Sequence, residues 1–371
     1  MPSITGTSRS SIPLFDLEVE EEDVAAVEAV YRSGKLTPGV EVEAFERAFA
    51  EQLGCRHAVA VANCTAALHL AYVAAGVGPG DEVIVPAFTF AATATAVLYC
   101  GATPVFADVA GPHDLSVDPE HVEALIGPRT RAISAVHFAG YAAPVDRLAE
   151  LCARHGLALI EDAAHAPSAL LGQRKLGTWG LAGAFSFFSN KVLPCGEGGL
   201  IATDDDAVAE LARARRSTAS ADGSLGFPYS MDEPRAALLG SRLARLEDDI
   251  ARRRALVRRY RERLHGMEGL VLPYRDEDVE LSSCYVMPLI LEELGRQSPF
   301  RRALRERHAV QTSLLYPAIH EFTAYRERFP GVSLPRTERA ARTEVTLPLF
   351  PHMTEEEQDV VIDAVEMELH A

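Results

Sequence analysis

A lysine at the end of an apolar segment is the first residue whose position indicates chemistry. Lys191 follows the aromatic stretch 184–188, and the glycine-rich turn 196–199 comes shortly after it. Apolar surroundings disfavour an ammonium ion and lower the pKa of a lysine, so its amine can act as a nucleophile near neutral pH. The alternative interpretation is a solvated lysine that ends a core strand before a tight turn, because most lysines are exposed.

A second segment offers a place for a phosphate. Asn63 lies between the apolar run 57–62 and a helical pattern over residues 65–76, so it can cap that helix. The free N–H groups and the dipole at a helix N-terminus favour a phosphate, and Thr65 adds a hydroxyl group beside the amide of Ala66. An ordinary N-cap with no ligand is the alternative.

Two more segments bring an anion and an aromatic ring to strand ends. Glu161 and Asp162 close a buried apolar run, and a carboxylate buried there needs a cationic or N–H partner. A protonated heterocycle nitrogen would serve, and so would a structural arginine. Phe90 follows another apolar run and could stack on a flat ring, and Ser186 precedes Lys191 by five residues.

Together these segments meet the four demands of pyridoxal 5'-phosphate, which are a phosphate cradle, a stacking surface, an anion for the ring nitrogen and an amine. Ligands collect beyond the carboxyl ends of strands in open parallel sheets, so the four segments can share one site. The sequence contains no Walker motif, no G-x-G-x-x-G after the first strand, no H-E-x-x-H and no nucleophile elbow. The histidines and cysteines form no metal-like cluster, so no metal is expected.

Composition excludes several classes of protein. The 371 residues carry a net charge of -17, which argues against nucleic-acid or anionic-membrane partners. The six cysteines include no C-x-x-C and indicate reduced thiols. No apolar run approaches the ~18 residues of a transmembrane helix, and the N-terminus lacks the apolar core of a signal peptide. A soluble, cytoplasmic protein is therefore expected.

The elements that would position these residues alternate between strand and helix from residue 57 onward. Such alternation predicts an α/β fold with a mostly parallel sheet covered on both faces. The apolar runs 184–188 and 199–203 would add strands, one of them an antiparallel edge. Residues 232–265 predict one long helix between two domains, and its arginines 252–254, 258 and 259 predict a solvated face. A smaller α+β domain would follow.

The ordered motifs resemble those of the DegT/DnrJ/EryC1/StrS sugar aminotransferases, which are fold-type-I pyridoxal-phosphate enzymes. The likeness covers about residues 13–369, and its segments are 63–70, 86–90, 161–166, 186–191 and 316–320. It implies an aspartate-aminotransferase-like large domain over residues 12–245, whose N-terminal helices could pack on a small domain over residues 246–371. Residues 1–11 are expected to be disordered.

The resemblance also implies residue roles. Lys191 would hold the cofactor covalently and shuttle a proton, and Asp162 would pair with the ring nitrogen. Phe90 would stack on the ring, and His165 would lie near the phenolic oxygen. The expected phosphate ligands are Thr65, the backbone at Ala66, and Ser186.

Substrate contacts are expected from Thr37, Tyr316 and His320. The family commonly has Gly-Phe-Asn-Tyr-Arg-Met in a stretch whose asparagine reaches a neighbouring subunit's phosphate. This chain has Pro228 and Ser230 in place of the asparagine and the arginine, so the resemblance does not extend to the family's cross-subunit phosphate contact or to its recognition of substrate charge.

The implied activity is amino transfer from L-glutamate or L-glutamine to a ketosugar, nucleotide-linked or not, or to a keto-cyclitol. Pyridoxamine 5'-phosphate would be the intermediate cofactor form, a homodimer the assembly, and secondary metabolites or surface glycans the destination. One alternative is a sugar dehydratase, a lyase in which histidine replaces the lysine, and Lys191 argues against it. The other is a non-catalytic regulatory protein that binds pyridoxal phosphate.

Overall fold

The computed structural model describes residues 11–218, 223 and 225–371. The prediction of a disordered N-terminus over residues 1–11 therefore lies, for residues 1–10, outside the described part of the chain. Among the described residues, no helix combines the length and the apolar character needed to cross a membrane.

α-Helices connect most of the consecutive strands of the large sheet. Three short 3₁₀ helices accompany them, at Phe138–Gly140, Asp276–Glu280 and Ile319–Glu321. The α-helices are α1 Glu21–Ser33, α2 Val40–Leu53, α3 Cys64–Ala74, α4 Ala92–Tyr99, α5 Pro119–Leu125, α6 Val145–His155, α7 Asp206–Arg215, α8 Glu233–Leu243, α9 Leu246–Leu264, α10 Gln297–His308, α11 Thr323–Arg326, α12 Pro335–Thr343 and α13 Glu355–Leu369.

The strands form one large sheet, one small sheet and two hairpin-like pairs. They are β1 His57–Val61, β2 Glu82–Pro86, β3 Thr103–Ala107, β4 Val109–Gly111, β5 Asp114–Val117, β6 Thr130–Val136, β7 Ala158–Asp162, β8 Leu170–Leu171, β9 Arg174–Lys175, β10 Ala182–Ser186, β11 Gly199–Thr203, β12 Leu270–Val271, β13 Met287–Leu291 and β14 Glu344–Leu347.

The large sheet has the order β1-β11-β10-β7-β6-β2-β3 and is parallel except at β11. This confirms the predicted α/β fold with a mostly parallel sheet. The predicted position of the antiparallel strand was wrong, because β11 lies inside the sheet between β1 and β10 and not at an edge. The chain returns directly from the Lys191 loop into this slot, so β11 must run against its neighbours.

Both faces of the large sheet are buried. In β1, Ala58 and Ala60 join one apolar core, whereas Val59 and Val61 join the other. This alternation follows from the two-residue period of a strand, and burial on both faces explains why these strands are apolar throughout. The helices that connect the strands supply the opposing surfaces of the two cores.

The small sheet is antiparallel, in the order β12-β13-β14, and with α10 and α13 it makes the predicted α+β unit. The predicted single helix over residues 232–265 is instead two helices that meet at Ala244 and Arg245. Arg242 and Arg245 both bind the buried carboxylate of Asp23 in α1. The domain boundary at 245/246 coincides with this break and stays a prediction.

One of the arginines assigned to a solvated face is buried. Arg253 is only 5% exposed, and its Nη1 donates hydrogen bonds to the carbonyl oxygens of Tyr285 and Leu349. Backbone carbonyls of the neighbouring segments therefore accept the hydrogen bonds that water accepts from an exposed arginine. The prediction failed at this position because side-chain periodicity alone does not reveal such carbonyl acceptors.

Candidate active site

Four strands of the large sheet deliver the candidate residues to one edge. The carboxyl ends of β1, β2, β7 and β10 lead to Thr65, Phe90, Asp162 and Ser186 respectively, and Lys191 follows β10. These strands run in one direction, so their carboxyl ends meet at the same side of the sheet, where open α/β sheets bind ligands. The sequence placed these residues at strand ends, and the topology brings those ends together.

Lys191 lies half-buried with its Nζ 4.5 Å from the centre of the Tyr285 ring. Burial lowers the pKa of its ammonium group to about 8, while the neighbouring Cys64 and Asp162 oppose that shift. A cavity of about 40 Å³ opens beside this lysine, but none of Thr65, Asp162 or Ser186 lines it. A space of that size holds a water molecule or two and is too small for a sugar.

Asp162 is a buried carboxylate that forms no ion pair with the described residues. Its Oδ2 accepts a hydrogen bond of 2.7 Å from the Thr93 hydroxyl, and its Oδ1 accepts one of 3.2 Å from the Ala164 amide. Burial raises the pKa of Asp162 despite these two bonds and the nearby charge of Lys191. A carboxylate in this state is stabilised by any ligand that brings a positively charged N–H group.

Glu161, its neighbour in β7, is by contrast fully bonded within the protein. Its carboxylate accepts hydrogen bonds from the amides of Gly177, Trp179 and Gly180, at 2.6 to 2.8 Å. His137 Nε2 lies 3.0 Å away and completes the set. Of the two carboxylates singled out in the sequence, only Asp162 is left available to a ligand.

The predicted phosphate cradle is the N-terminus of α3, where some of the hydrogen-bond donors already have partners in the protein. Asn63 Oδ1 accepts the Ala66 amide at 2.9 Å as the cap of α3, so a phosphate contact at Ala66 would share or displace that bond. The amide and hydroxyl of Thr65 have no partner among the described residues. Ser186 is buried, and its hydroxyl accepts only a long bond of 3.5 Å from the Phe188 amide.

A glycine joins this cradle to the lysine segment. Gly199, the first residue of β11, pairs with Val61 on one side and with Ser186 on the other. A Cβ atom at Gly199 would lie 2.3 Å from the carbonyl carbon of Asn63, closer than atoms can approach. Part of the glycine-rich turn is therefore required by the protein's own backbone at the cradle.

An aromatic and imidazole cluster forms the other wall. His165 Nε2 lies 2.9 Å from the Tyr316 hydroxyl, and its ring stacks on Tyr285 with centres 4.3 Å apart. Burial lowers the pKa of His165, and the positive charge of Lys191 adds to this effect. The other ring nitrogen, Nδ1, is buried without a partner in the described structure. Phe90 is 61% exposed, and its ring centre lies 5.8 Å from that of Tyr316.

Three residues that the sequence did not reveal belong to this site. Thr93 bonds Asp162, Tyr285 supports both Lys191 and His165, and Glu344 accepts the Leu315 amide at 2.7 Å next to Tyr316. A threonine one turn into the helix after Phe90 was the only local indication for Thr93. Tyr285 and Glu344 come from the small α+β unit, and their positions depend on tertiary packing.

Two predicted substrate residues lie outside this cluster within the chain. Thr37 is exposed in the connection between α1 and α2. His320 is buried against the Phe106 ring, and its Nε2 is 3.4 Å from Glu338. The structure therefore gathers Tyr316, but neither Thr37 nor His320, around Lys191.

The segment with the unusual residues packs close to β1 and α3. Ser230 donates its hydroxyl hydrogen to the carbonyl of Arg216, and the ring of Tyr229 stacks on that of Phe227. The guanidinium of Arg216 forms an ion pair with Glu46, which also accepts the Ala60 amide. Arg216, at the C-terminal end of α7, therefore places a positive charge next to β1.

The available groups fit a phosphorylated heteroaromatic aldehyde. The unpartnered amide and hydroxyl of Thr65 can donate hydrogen bonds to a phosphate. The buried carboxylate of Asp162 can accept one from a protonated ring nitrogen. The unpartnered Nδ1 of His165 leaves a polar contact for a ring substituent, and the amine of Lys191 can react with a carbonyl carbon. Pyridoxal 5'-phosphate has all four features.

Residues 17–366 match the DegT/DnrJ/EryC1/StrS aminotransferase family. A relative from Bacillus subtilis (strain 168), the spore coat polysaccharide biosynthesis protein SpsC, is 36% identical over 375 residues, which cover 96% of this chain and 95% of that protein.

Solved structures show the same fold over nearly the whole chain. DesV of S. venezuelae, in complex with a ketimine intermediate, is 38% identical with a TM-score of 0.92, covering 97% of this chain and 99% of that one. NtdA of Bacillus subtilis, with bound cofactor PMP, is 28% identical with a TM-score of 0.88, covering 98% of this chain and 86% of that one.

Proposed function

Because the chain belongs to the DegT/DnrJ/EryC1/StrS aminotransferase family, we propose that it moves the amino group of L-glutamate or L-glutamine onto a ketosugar or a keto-cyclitol. The observation that carries the proposal is the presence, at the carboxyl edge of the sheet, of Lys191 with a lowered pKa and of Asp162, a buried carboxylate that forms no ion pair with the described residues. Bound PMP in NtdA supports pyridoxal phosphate as the cofactor here.

The cofactor supplies, when bound, a ring that accepts the electron pair left on the substrate carbon after its proton is removed. Asp162 holds the proton of the ring nitrogen and so keeps the ring electron-withdrawing. Thr93 donates to the same carboxylate and fixes its orientation. Thr65 and Ser186 would bind the phosphate, and Phe90 would cover the ring.

Lys191 moves the proton. Its amine would hold the cofactor, and the neutral amine would take up a proton from the substrate carbon that bears the nitrogen. A lysine with an ordinary pKa would be protonated and unable to do so at neutral pH, whereas a pKa of about 8 leaves an appreciable neutral fraction. The ring face of Tyr285 stabilises the ammonium form of Lys191, so the site accommodates both the charged and the neutral lysine.

The substrate side is proposed from the surrounding residues. Tyr316, held by His165 and by the Leu315–Glu344 bond, presents a hydroxyl towards a sugar or a cyclitol. Thr37, exposed in this chain, would reach substrate from a second copy, which fits a cytoplasmic homodimer with active sites at the subunit boundary. The polysaccharide role of SpsC supports a product used in surface glycans, and secondary metabolites are the other destination.

A spectroscopic experiment tests the proposal. Purified protein mixed with pyridoxal phosphate should develop a visible absorption band, and L-glutamate or L-glutamine should bleach it. A Lys191→Ala variant that binds the cofactor without the band is the control. If neither donor bleaches the wild-type band, amino transfer from these donors is wrong.

The substrate can then be approached in reverse. A panel of amino sugars and aminocyclitols, offered to the pyridoxal form, should bleach the same band when one of them is the natural product. Nucleotide-linked and free sugars in the same panel separate the two substrate types. Failure of the entire panel while glutamate still bleaches the band would reject both sugar and cyclitol substrates.

A further inference from the structure

A surface cleft on the small α+β unit gathers arginines. Its volume is about 560 Å³, and three residues of α10, Arg301, Arg302 and Arg305, line it. The rest of the lining contains no carboxylate and consists of Leu14, Phe15, Ser298, Gln311, Thr312 and Ser313. In a chain with a net charge of -17, a wall with three guanidinium groups and no acid is unusual.

Arg301 is held in place but not neutralised. Its Nη2 donates to the carbonyl oxygen of Thr312 at 3.1 Å, and its Nε lies 3.4 Å from the Thr312 hydroxyl. Burial lowers the pKa of Arg301, and the charge of Arg305 adds to the effect. The carboxyl group that opposes this shift is Glu344, and burial raises its own pKa to about 8. Glu344 is therefore mostly uncharged at neutral pH.

The other two arginines add positive charge without strong partners. Arg302 is exposed and has no ion pair among the described residues. Arg305 approaches only Glu306, at 3.7 Å, and both side chains are largely solvated. Arg301 and Arg305 also lie four residues apart on one helix face, where like charges destabilise the helix. The protein thus retains a locally unfavourable charge arrangement.

We propose that this cleft binds a phosphate-bearing anion. A guanidinium group offers a planar fork that matches phosphate oxygens, and three such groups can surround one or two phosphates. Ser298 lies in the first turn of α10, where the helix dipole also favours an anion. The polar groups of Gln311 and Ser313 add hydrogen-bonding capacity, and the half-exposed ring of Phe15 offers an apolar surface to the organic part of the ligand.

The cleft adjoins the candidate active site through two routes. Phe15 lines both this cleft and the cavity beside Lys191. Residues 311–313 continue directly into Leu315 and Tyr316, whose position Glu344 fixes. The phosphate can therefore come from the sugar substrate itself, a version that rests on the proposed function, or from a free phosphate ester that acts as an effector.

The test uses the full-length protein loaded with pyridoxal phosphate, so that the cofactor cradle is already filled. Inorganic pyrophosphate and uridine 5'-diphosphate are titrated by calorimetry at low ionic strength. The variants are R302Q, which removes an exposed and unpaired arginine, and R301Q. R326Q is the matched control, since Arg326 is an exposed arginine of α11 that does not line the cleft.

Both probes should bind wild type, and R302Q and R301Q should each weaken binding about tenfold. R326Q should bind as wild type does. Absence of binding by either probe, or equal weakening by R326Q, would overturn the proposal. Because Arg302 is exposed and forms no ion pair among the described residues, R302Q should fold as wild type does. The donor-induced bleaching of the cofactor band reports separately on amino transfer.

The two sources of phosphate are then distinguished with F15A. If uridine 5'-diphosphate loses affinity in F15A while pyrophosphate does not, and the diphosphate also competes with the ketosugar, the site belongs to the substrate. Binding of both probes without competition assigns it to a separate effector. In either result the arginines of the cleft are the phosphate ligands.

Discussion

Two carboxylates occupy adjacent positions in β7 and face opposite sides of the sheet, yet their situations differ. Glu161 accepts three amide hydrogens and faces His137, all from its own chain. Asp162 accepts one hydroxyl and one amide, and its pKa is raised by burial. The comparison shows that burial of a carboxylate does not reveal its role, whereas the completeness of its bonding does.

The largest expected effect comes from Lys191, whose charge acts on the pKa of Asp162. Lys191→Ala should lower amino transfer by roughly a thousandfold or more, because the proton-moving group is lost. The measurement is the steady-state rate of amino transfer, together with the missing visible band. If the variant kept wild-type turnover, Lys191 would not be catalytic, and the proposed role of Asp162 beside it would also be wrong.

Asp162→Asn should have the next largest effect on activity, a fall of about a hundredfold, because an amide does not hold a positively charged ring nitrogen. The apoprotein should be at least as stable as wild type at neutral pH. A carboxyl group with a raised folded-state pKa costs stability as the pH rises through its titration, and asparagine removes that cost. Denaturant unfolding of the apoprotein measures this, and marked destabilisation would contradict the comparison.

Glu161→Gln should reverse the pattern. Loss of the charged acceptor for three amides should lower the free energy of unfolding by roughly 2–4 kcal/mol. The folded fraction should retain turnover within a few-fold, since the group touches neither Lys191 nor Asp162 through its side chain. If Glu161→Gln lost activity as severely as Asp162→Asn without losing stability, the two sides of β7 would not differ in role.

Thr93→Val should have a smaller effect, a loss of several-fold in turnover, because it removes one of two hydrogen bonds to Asp162. Thr93→Ser, which keeps the hydroxyl, should restore most of the activity. A cofactor absorption spectrum whose pH dependence differs in Thr93→Val but not in Thr93→Ser would show that Thr93 acts through Asp162. Identical spectra in all three proteins would limit Thr93 to packing.

The smallest effect concerns the pH dependence of cofactor capture by the apoprotein. The reactive form of Lys191 is neutral, so the rate should rise with pH and level off above about 8. Asp162→Asn should move this midpoint to lower pH, since the carboxylate raises the lysine pKa. Glu161→Gln should leave the midpoint unchanged. Stopped-flow absorbance over a pH series measures both, and an equal shift in the two variants would contradict the distinction.

Much of the large sheet and half of its site follow from the sequence alone. Apolar runs located the strands, and strand ends located Lys191, Asp162 and Phe90, because local patterns determine where a chain leaves a parallel sheet. Tyr285 and Glu344 could not be predicted, since their proximity to the site depends on how the small unit packs. The break between α8 and α9 likewise has no glycine or proline to mark it, and Arg242 and Arg245 beside it bind Asp23, which is distant in the sequence.

Gly199 fixes the distance between two parts of the site. It pairs with Ser186 and with Val61, and it lies against the Asn63 carbonyl. One backbone position therefore sets the spacing between the N-terminus of α3 and β10, the strand that precedes Lys191. The two ends cannot drift apart unless this contact opens. This backbone contact therefore sets the distance between the phosphate-binding end of α3 and the Lys191 segment, which limits the length of ligand that can reach both.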